Sequence, residues 1–172
     1  MTVISSDPGA RDFYTNLFGW PAHVSPEPEA MGYTLFHKDG KAAAAAGPLM
    51  NQAMPVAWMT QVSVTDVDEA AAKIAKAGGQ VIVAPMDVFT QGRFAVVTDQ
   101  TGAPFGLWQP RDMSGADIFN VDGAYTWSEL TTRDPLGAKE FYREVFGWEA
   151  HDRENGPVTY TTFKVDGAPR PA

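Results

Sequence analysis

The stretch "DFYTNLFGWPAH" (residues 12–23) returns near the other end of the chain as "EFYREVFGWEAH" (140–151), aligned without a gap. The alignment pairs Phe13 with Phe141, Trp20 with Trp148 and His23 with His151. Upstream, "SSDPGARD" matches "TRDPLGAKE" with one residue inserted, and downstream "YTLFHKDGK" (33–41) matches "YTTFKVDGA" (160–168). A self-similar unit of this length is a supersecondary module, so the fold is read as repeats before anything else.

Each copy carries one helix. Over 7–18, Ala10, Phe13, Tyr14, Leu17 and Phe18 recur at the spacing of one helical face, with Asp7 as N-cap, Pro8 in the first turn and Gly19 as terminator. Over 134–146 the stripe is Ala138, Phe141, Tyr142, Val145 and Phe146, and Gly147 ends it. Between them "TDVDEAAAKIAKAGG" has the same design in different words: Asp66 as N-cap, Glu69 completing a capping box, Val67, Ala70, Ile74 and Ala77 facing in, and Gly78-Gly79 as stop. This is a divergent third copy. Extended apolar stretches precede the second and third helices ("AWMTQVSVT", 57–65, and "AYTWSELTT", 124–132). After the second helix, "QVIVAP", "RFAVVTD" and "APFGLWQP" are strand candidates separated by turn signals at Gly92 and 99–103. The unit therefore reads β-α-β-β-β.

The totals narrow the function class. With 172 residues of which 44% are hydrophobic, the chain can fill a proper core. A net charge of −8, with no basic stripe, argues against nucleic acid as a partner. No apolar run approaches a bilayer span and no signal-like segment opens the sequence, so a soluble cytoplasmic protein without membrane partners is expected. The absence of Cys rules out disulfides, Cys-ligated zinc and a Cys nucleophile.

Modules carrying "D-P-x-x-A-x-x-F-Y-x-x-x-F-G-W" and "D-x-x-G-A-x-F-G-L-W-Q" resemble the vicinal oxygen chelate superfamily, the group of glyoxalases, bleomycin-resistance proteins and extradiol dioxygenases. Within it, "GRFAVVTD" and "FGLWQP" resemble a tandem branch carrying glyoxalase-like and hydroxylase labels. The resemblance implies an α+β fold: repeated βαβββ modules form a cupped, partly closed mixed sheet with helices on the convex face. On this reading 1–54 is a first module with an incomplete first strand, 55–110 a second module, 111–123 a polar linker and 124–172 a third module incomplete at its C-terminal end. Both open ends leave unpaired strand edges, which suggests a homodimer with exchanged modules or a longer chain.

The resemblance also supplies a test for metal. Family metal enzymes carry His or Gln on the first strand, seven residues before the Asp that opens the helix, and Glu on a unit's last strand. Here those positions hold Met59, Trp127 and Gly106, none of them a ligand for a hard divalent ion, so no metal and no cofactor are expected. Gln61 and Glu129 sit two residues beyond Met59 and Trp127 and share their inward face by strand alternation. A polar group facing an apolar cup is costly unless paired or used. Gln61 and Glu129 either bind ligand polar groups or hydrogen-bond backbone or water within the barrel, and in the functional reading Glu129 is the candidate general base.

Trp108 shares a face with Gly106 and is a pocket-lining candidate together with Met59 and Trp127, while Phe105 and Leu107 should pack under the helices. Arg93 either orients an anionic ligand or is structurally paired. His23 and His151 read as surface or packing residues, and Trp20 and Trp148 as core. The expected activity is binding of an apolar or aromatic small molecule in the cup. The alternative is a glyoxalase-like lyase, isomerase or hydroxylase acting on a small carbonyl compound, with Glu129 as base.

Overall fold

The computed structural model describes residues 2–4, 9–49, 55–156 and 158–165. Its first module runs β1 (Thr2–Ile4), α1 (Gly9–Phe18), β2 (Ala22–Val24), a 3-10 turn (Pro28–Ala30), β3 (Thr34–Lys38) and β4 (Lys41–Gly47). The second runs β5 (Ala57–Met59), β6 (Gln61–Ser63), α2 (Val67–Lys76), β7 (Gln80–Val88), β8 (Gly92–Thr98) and β9 (Pro104–Pro110). Helix α3 (Pro135–Phe146) and the hairpin β10 (Glu149–Asn155) and β11 (Val158–Lys164) follow. None of the described helices is long and apolar enough to cross a membrane.

The sheets have the order β2-β3-β4-β1-β5, β6-β9-β8-β7 and β10-β11. In each larger sheet the strand before the helix lies parallel to the module's last strand, β1 on β4 and β6 on β9, and the remaining neighbours within a module are antiparallel. The mixed α+β repeat is as expected. The continuous strand over 57–65 is not: it divides at Thr60, because 57–59 pair with β1 and 61–63 with β9. Thr60 still accepts a hydrogen bond from Gly106 N at 2.9 Å, so one short segment joins both sheets.

The helix ends follow from local chemistry. The Asp66 carboxylate accepts from Glu69 N at 2.9 Å, closing half of the capping box, while the Glu69 side chain turns instead to Lys73 at 2.7 Å. Asp134 likewise accepts from Gly137 N at 2.9 Å, and Gly147 stops α3 at φ 71°, where a side chain would be strained. The proposed cap Asp7 lies outside the described residues.

Two helices that share a sequence do not share an environment. Tyr14 and Phe18 of α1 pack against Trp58 and Trp20, but Phe13 and Leu17 are 59% and 57% exposed. Their counterparts Phe141 and Val145 are 3% and 7% exposed, because α3 lies with α2 against Ala95, Val97, Phe105 and Leu107 of β8 and β9. Tyr142 adds a polar tie: its hydroxyl donates to the buried Asp99 carboxylate at 3.3 Å, and burial, then the Asp99 charge, hold the phenol pKa well above its usual value. The other Asp99 oxygen accepts from Thr101 N, Thr101 Oγ1 and Ala103 N, fixing the β8–β9 turn.

The expected strand over 124–132 is absent. Tyr125 makes a single bridge to Phe119, and 126–132 form no ladder. The polar segment 111–123 is not loose. Asp117 N donates to Ala42 O at 2.8 Å, Trp20 Nε1 donates to Gly123 O at 2.8 Å, and Ile118 packs on the cluster of Trp20, Phe36 and Ala43.

Candidate functional site

Strand alternation divides the second module's sheet into two faces. Ala95, Val97, Phe105 and Leu107 face the helices, whereas Met59 and Val96, with Phe94, Val83 and Leu49 around them, form a separate cluster on the concave side. Gln61, Gly106 and Trp108 share that concave face: Gln61 is registered with Gly106, and Trp108 with Phe94. Met59, Gln61 and Trp108 thus come together as a cup floor.

Two glycines shape this floor. A Cβ on Gly106 would stand 2.3 Å from Gln61 Oε1, 2.7 Å from its Cδ and 2.9 Å from its Nε2, so the whole carboxamide lies flat on bare strand. A Cβ on Gly92 would stand 2.5 Å from the Trp108 ring, which is lodged there while its Nε1 donates to Met113 O at 3.0 Å. Both the Gln61 and the Trp108 side chains lie along the sheet instead of standing into the cup. Gln61 Oε1 is buried and has no hydrogen-bond partner among the described residues. Leaving such an acceptor unmet costs about 1–3 kcal/mol, which a ligand donor would recover.

The first module continues the concave face. Tyr33 is hydrogen-bonded to Thr2, and burial pushes its phenol pKa up against that bond. Farther out, His23 and His37 meet edge to face with ring centroids 4.5 Å apart, and His37 Nδ1 is buried without a partner among the described residues. The repeat pairs His23 with His151, but its neighbour in space is His37.

The remaining predicted site residues fall elsewhere. Arg93 is turned to the helix side with Ala95 and Val97. It forms a two-point pair with Asp68 of α2, at 2.8 and 3.0 Å, and reaches Asp87 at 3.1 Å, where Arg111 also binds at 2.8 Å. Hydrogen bonding to Arg93 holds both carboxyls below their usual range and raises the guanidinium. The structural pairing is therefore the one observed. Trp127 and Glu129 are exposed and meet on Tyr160 of β11: Trp127 Nε1 donates to the Tyr160 hydroxyl at 3.0 Å, and that hydroxyl donates to Glu129 Oε1. The bond to Glu129 raises the Tyr160 phenol pKa. Between them, Ser128 Oγ contacts Thr60 Oγ1, whose side chain alternates to the face opposite Met59 and Gln61. Trp127 and Glu129 therefore share one side of their segment and Ser128 takes the other, although 126–132 forms no ladder. A cleft of about 150 Å³ between α2 and α3, walled by Ala70, Lys73, Val145 and Phe146, is a separate concavity.

A family model described as Glyoxalase/Bleomycin resistance protein/Dioxygenase superfamily matches residues 3–107. The chain belongs to this superfamily. Among similar proteins, "Anthracycline biosynthesis protein DauV" of Streptomyces sp. (strain C5) is 38% identical over 174 residues, which cover 93% of this chain and 63% of that protein. "Putative glyoxylase CFP32" of Mycobacterium tuberculosis (strain CDC 1551 / Oshkosh) is 39% identical over 142 residues, covering 80% of this chain and 54% of that one. The chain therefore spans somewhat under two thirds of the curated relatives it matches. The crystal structure of BphC, a halotolerant catechol dioxygenase, superposes with a TM-score of 0.58 at 15% identity over 94% of this chain and 58% of that one, a likeness of fold.

The metal of the superfamily's metal enzymes does not fit these residues. Its positions hold a thioether, an indole and a glycine, and the Gln61 amide occupies the space that a Glu at 106 would need. Among the described residues no group of three or more His, Cys, Asp or Glu could hold a metal ion.

Proposed function

We propose that the chain binds an apolar or aromatic small molecule in its cup without the superfamily's metal site, in a cytoplasmic setting. The observation that carries this reading is the cup floor: Met59, Phe94, Val96 and Trp108 around one unpaired carboxamide, kept low by Gly92 and Gly106. Relatives named for anthracycline biosynthesis support an aromatic ligand. The lyase or hydroxylase alternative has less support, since the exposed Glu129 carboxylate is engaged by the Tyr160 hydroxyl. Calorimetric titration with quinoline tests the proposal. Wild type binds, and Val96→Phe, which adds bulk to the floor, loses binding while its far-UV spectrum stays folded. Equal binding by the folded variant would refute it.

For a protein partner, we propose a second copy exchanging modules, supported by the α1 face whose counterparts on α3 are buried. Light scattering then finds a dimer in wild type and a monomer in Phe13→Asp. A wild-type monomer at all concentrations would contradict the exchange.

A further inference from the structure

The three heavy atoms of the Gln61 amide all lie within 2.9 Å of where a Gly106 Cβ would stand, so the group is spread along β9 and not pointed across the cup. Its Oε1 is buried without a partner, and no described group bonds its nitrogen. A carboxamide in this posture offers an acceptor and a donor side by side, and exchanging its oxygen and nitrogen preserves that pairing. Its surroundings on the floor are Met59, Phe94 and Trp108, which favour a flat apolar body. The complement of such a site is a ring carrying adjacent N–H and C=O groups.

We infer that Gln61 selects the ligand, and that the cup takes an aromatic lactam or cyclic amide whose N–H and C=O pair with the Gln61 carboxamide over Gly106. This deepens, and rests on, the reading of the cup as a ligand site. A ligand lacking the donor leaves Oε1 buried and unmet, which is why a hydrogen-bonding site rejects such an analogue more strongly than an apolar pocket rejects a missing methylene.

The test uses 2-quinolone, its N-methyl derivative and quinoline as probes. Wild type should bind 2-quinolone roughly tenfold tighter than N-methyl-2-quinolone, about 1.4 kcal/mol. Gln61→Leu should abolish that preference. Equal wild-type affinities for the two quinolones overturn the inference without any variant, and so does a folded Gln61→Leu protein that keeps the wild-type preference. If quinoline binds wild type and only the preference is missing, the cup survives and the lactam does not. If none of the three probes binds wild type, both fall.

Discussion

Replacing Gly92 or Gly106 by alanine adds the same single carbon to the same floor, yet the structure assigns the two changes different costs. Neither glycine has a positive φ, so alanine's backbone preference is not at issue and only contacts decide. At 92 the new Cβ would lie 2.5 Å from the Trp108 ring and 2.6 Å from the Gln109 carbonyl oxygen. Both are held: the indole by Met113 O at 3.0 Å, and Gln109 by its side chain, which accepts from Val67 N at 3.0 Å at the start of α2. Overpacking against atoms that cannot move costs about 1–3 kcal/mol, and a chain of this size loses roughly 2–4 °C in Tm per kcal/mol. Gly92→Ala should therefore melt roughly 2–12 °C lower. At 106 the three nearest atoms all belong to the free end of Gln61, at 2.3 to 2.9 Å, and a side chain can swing away. Relief from glycine's unfolded-state entropy, about 0.4–1 kcal/mol, offsets that displacement, so Gly106→Ala should melt close to wild type. Differential scanning calorimetry of both variants is the assay. A Gly106→Ala loss as large as that of Gly92→Ala would refute the account of a floor whose amide is movable and whose indole is fixed.

Phe141→Ala should cost about 3–5 kcal/mol in urea denaturation, the usual loss for a buried Phe. Tyr142 has a folded-state pKa raised above its unfolded value, so its contribution is full below about pH 10 and is lost as the unfolded phenol ionises above that. Alkaline melts should accordingly show a fall in Tm above about pH 10 that is shallower in Tyr142→Phe. Arg93→Leu should leave quinoline affinity unchanged and produce only a small, salt-sensitive loss of stability, because its ion pairs lie on the exposed helix side.

The modules were legible because helix caps and stripes are local. Asp66 and Asp134 cap where the sequence places them, and the apolar spacing names the residues that α2 and α3 bury. The faces of β9 were legible too, since Phe105 and Leu107 alternate with Gly106 and Trp108. Strands are less local. The segment 126–132 has the composition of one, but a ladder requires a backbone partner, which composition does not supply. Arg93 was ambiguous because Phe94, Ala95, Val96 and Val97 are apolar on both faces, which hides the period; parity with Ala95 and Val97 was the available signal. Tyr160 and the His23–His37 contact arise from cross-strand proximity that no sequence spacing encodes, although the Tyr33–Tyr160 repeat marked the position. Asp99 had a signature, an Asp opening the "DQTGA" turn, but its tie to Tyr142 depends on where α3 docks.

The account turns on where a ligand sits. Titrating methyl-labelled, indole-labelled protein with quinoline and following the Met59 methyl, Trp108 indole and Trp127 indole signals by NMR measures that directly. The cup account predicts saturable shifts at Met59 and Trp108 with Trp127 unmoved, whereas saturable shifts at Trp127 with Met59 and Trp108 unmoved would place the ligand beside Tyr160 and contradict it.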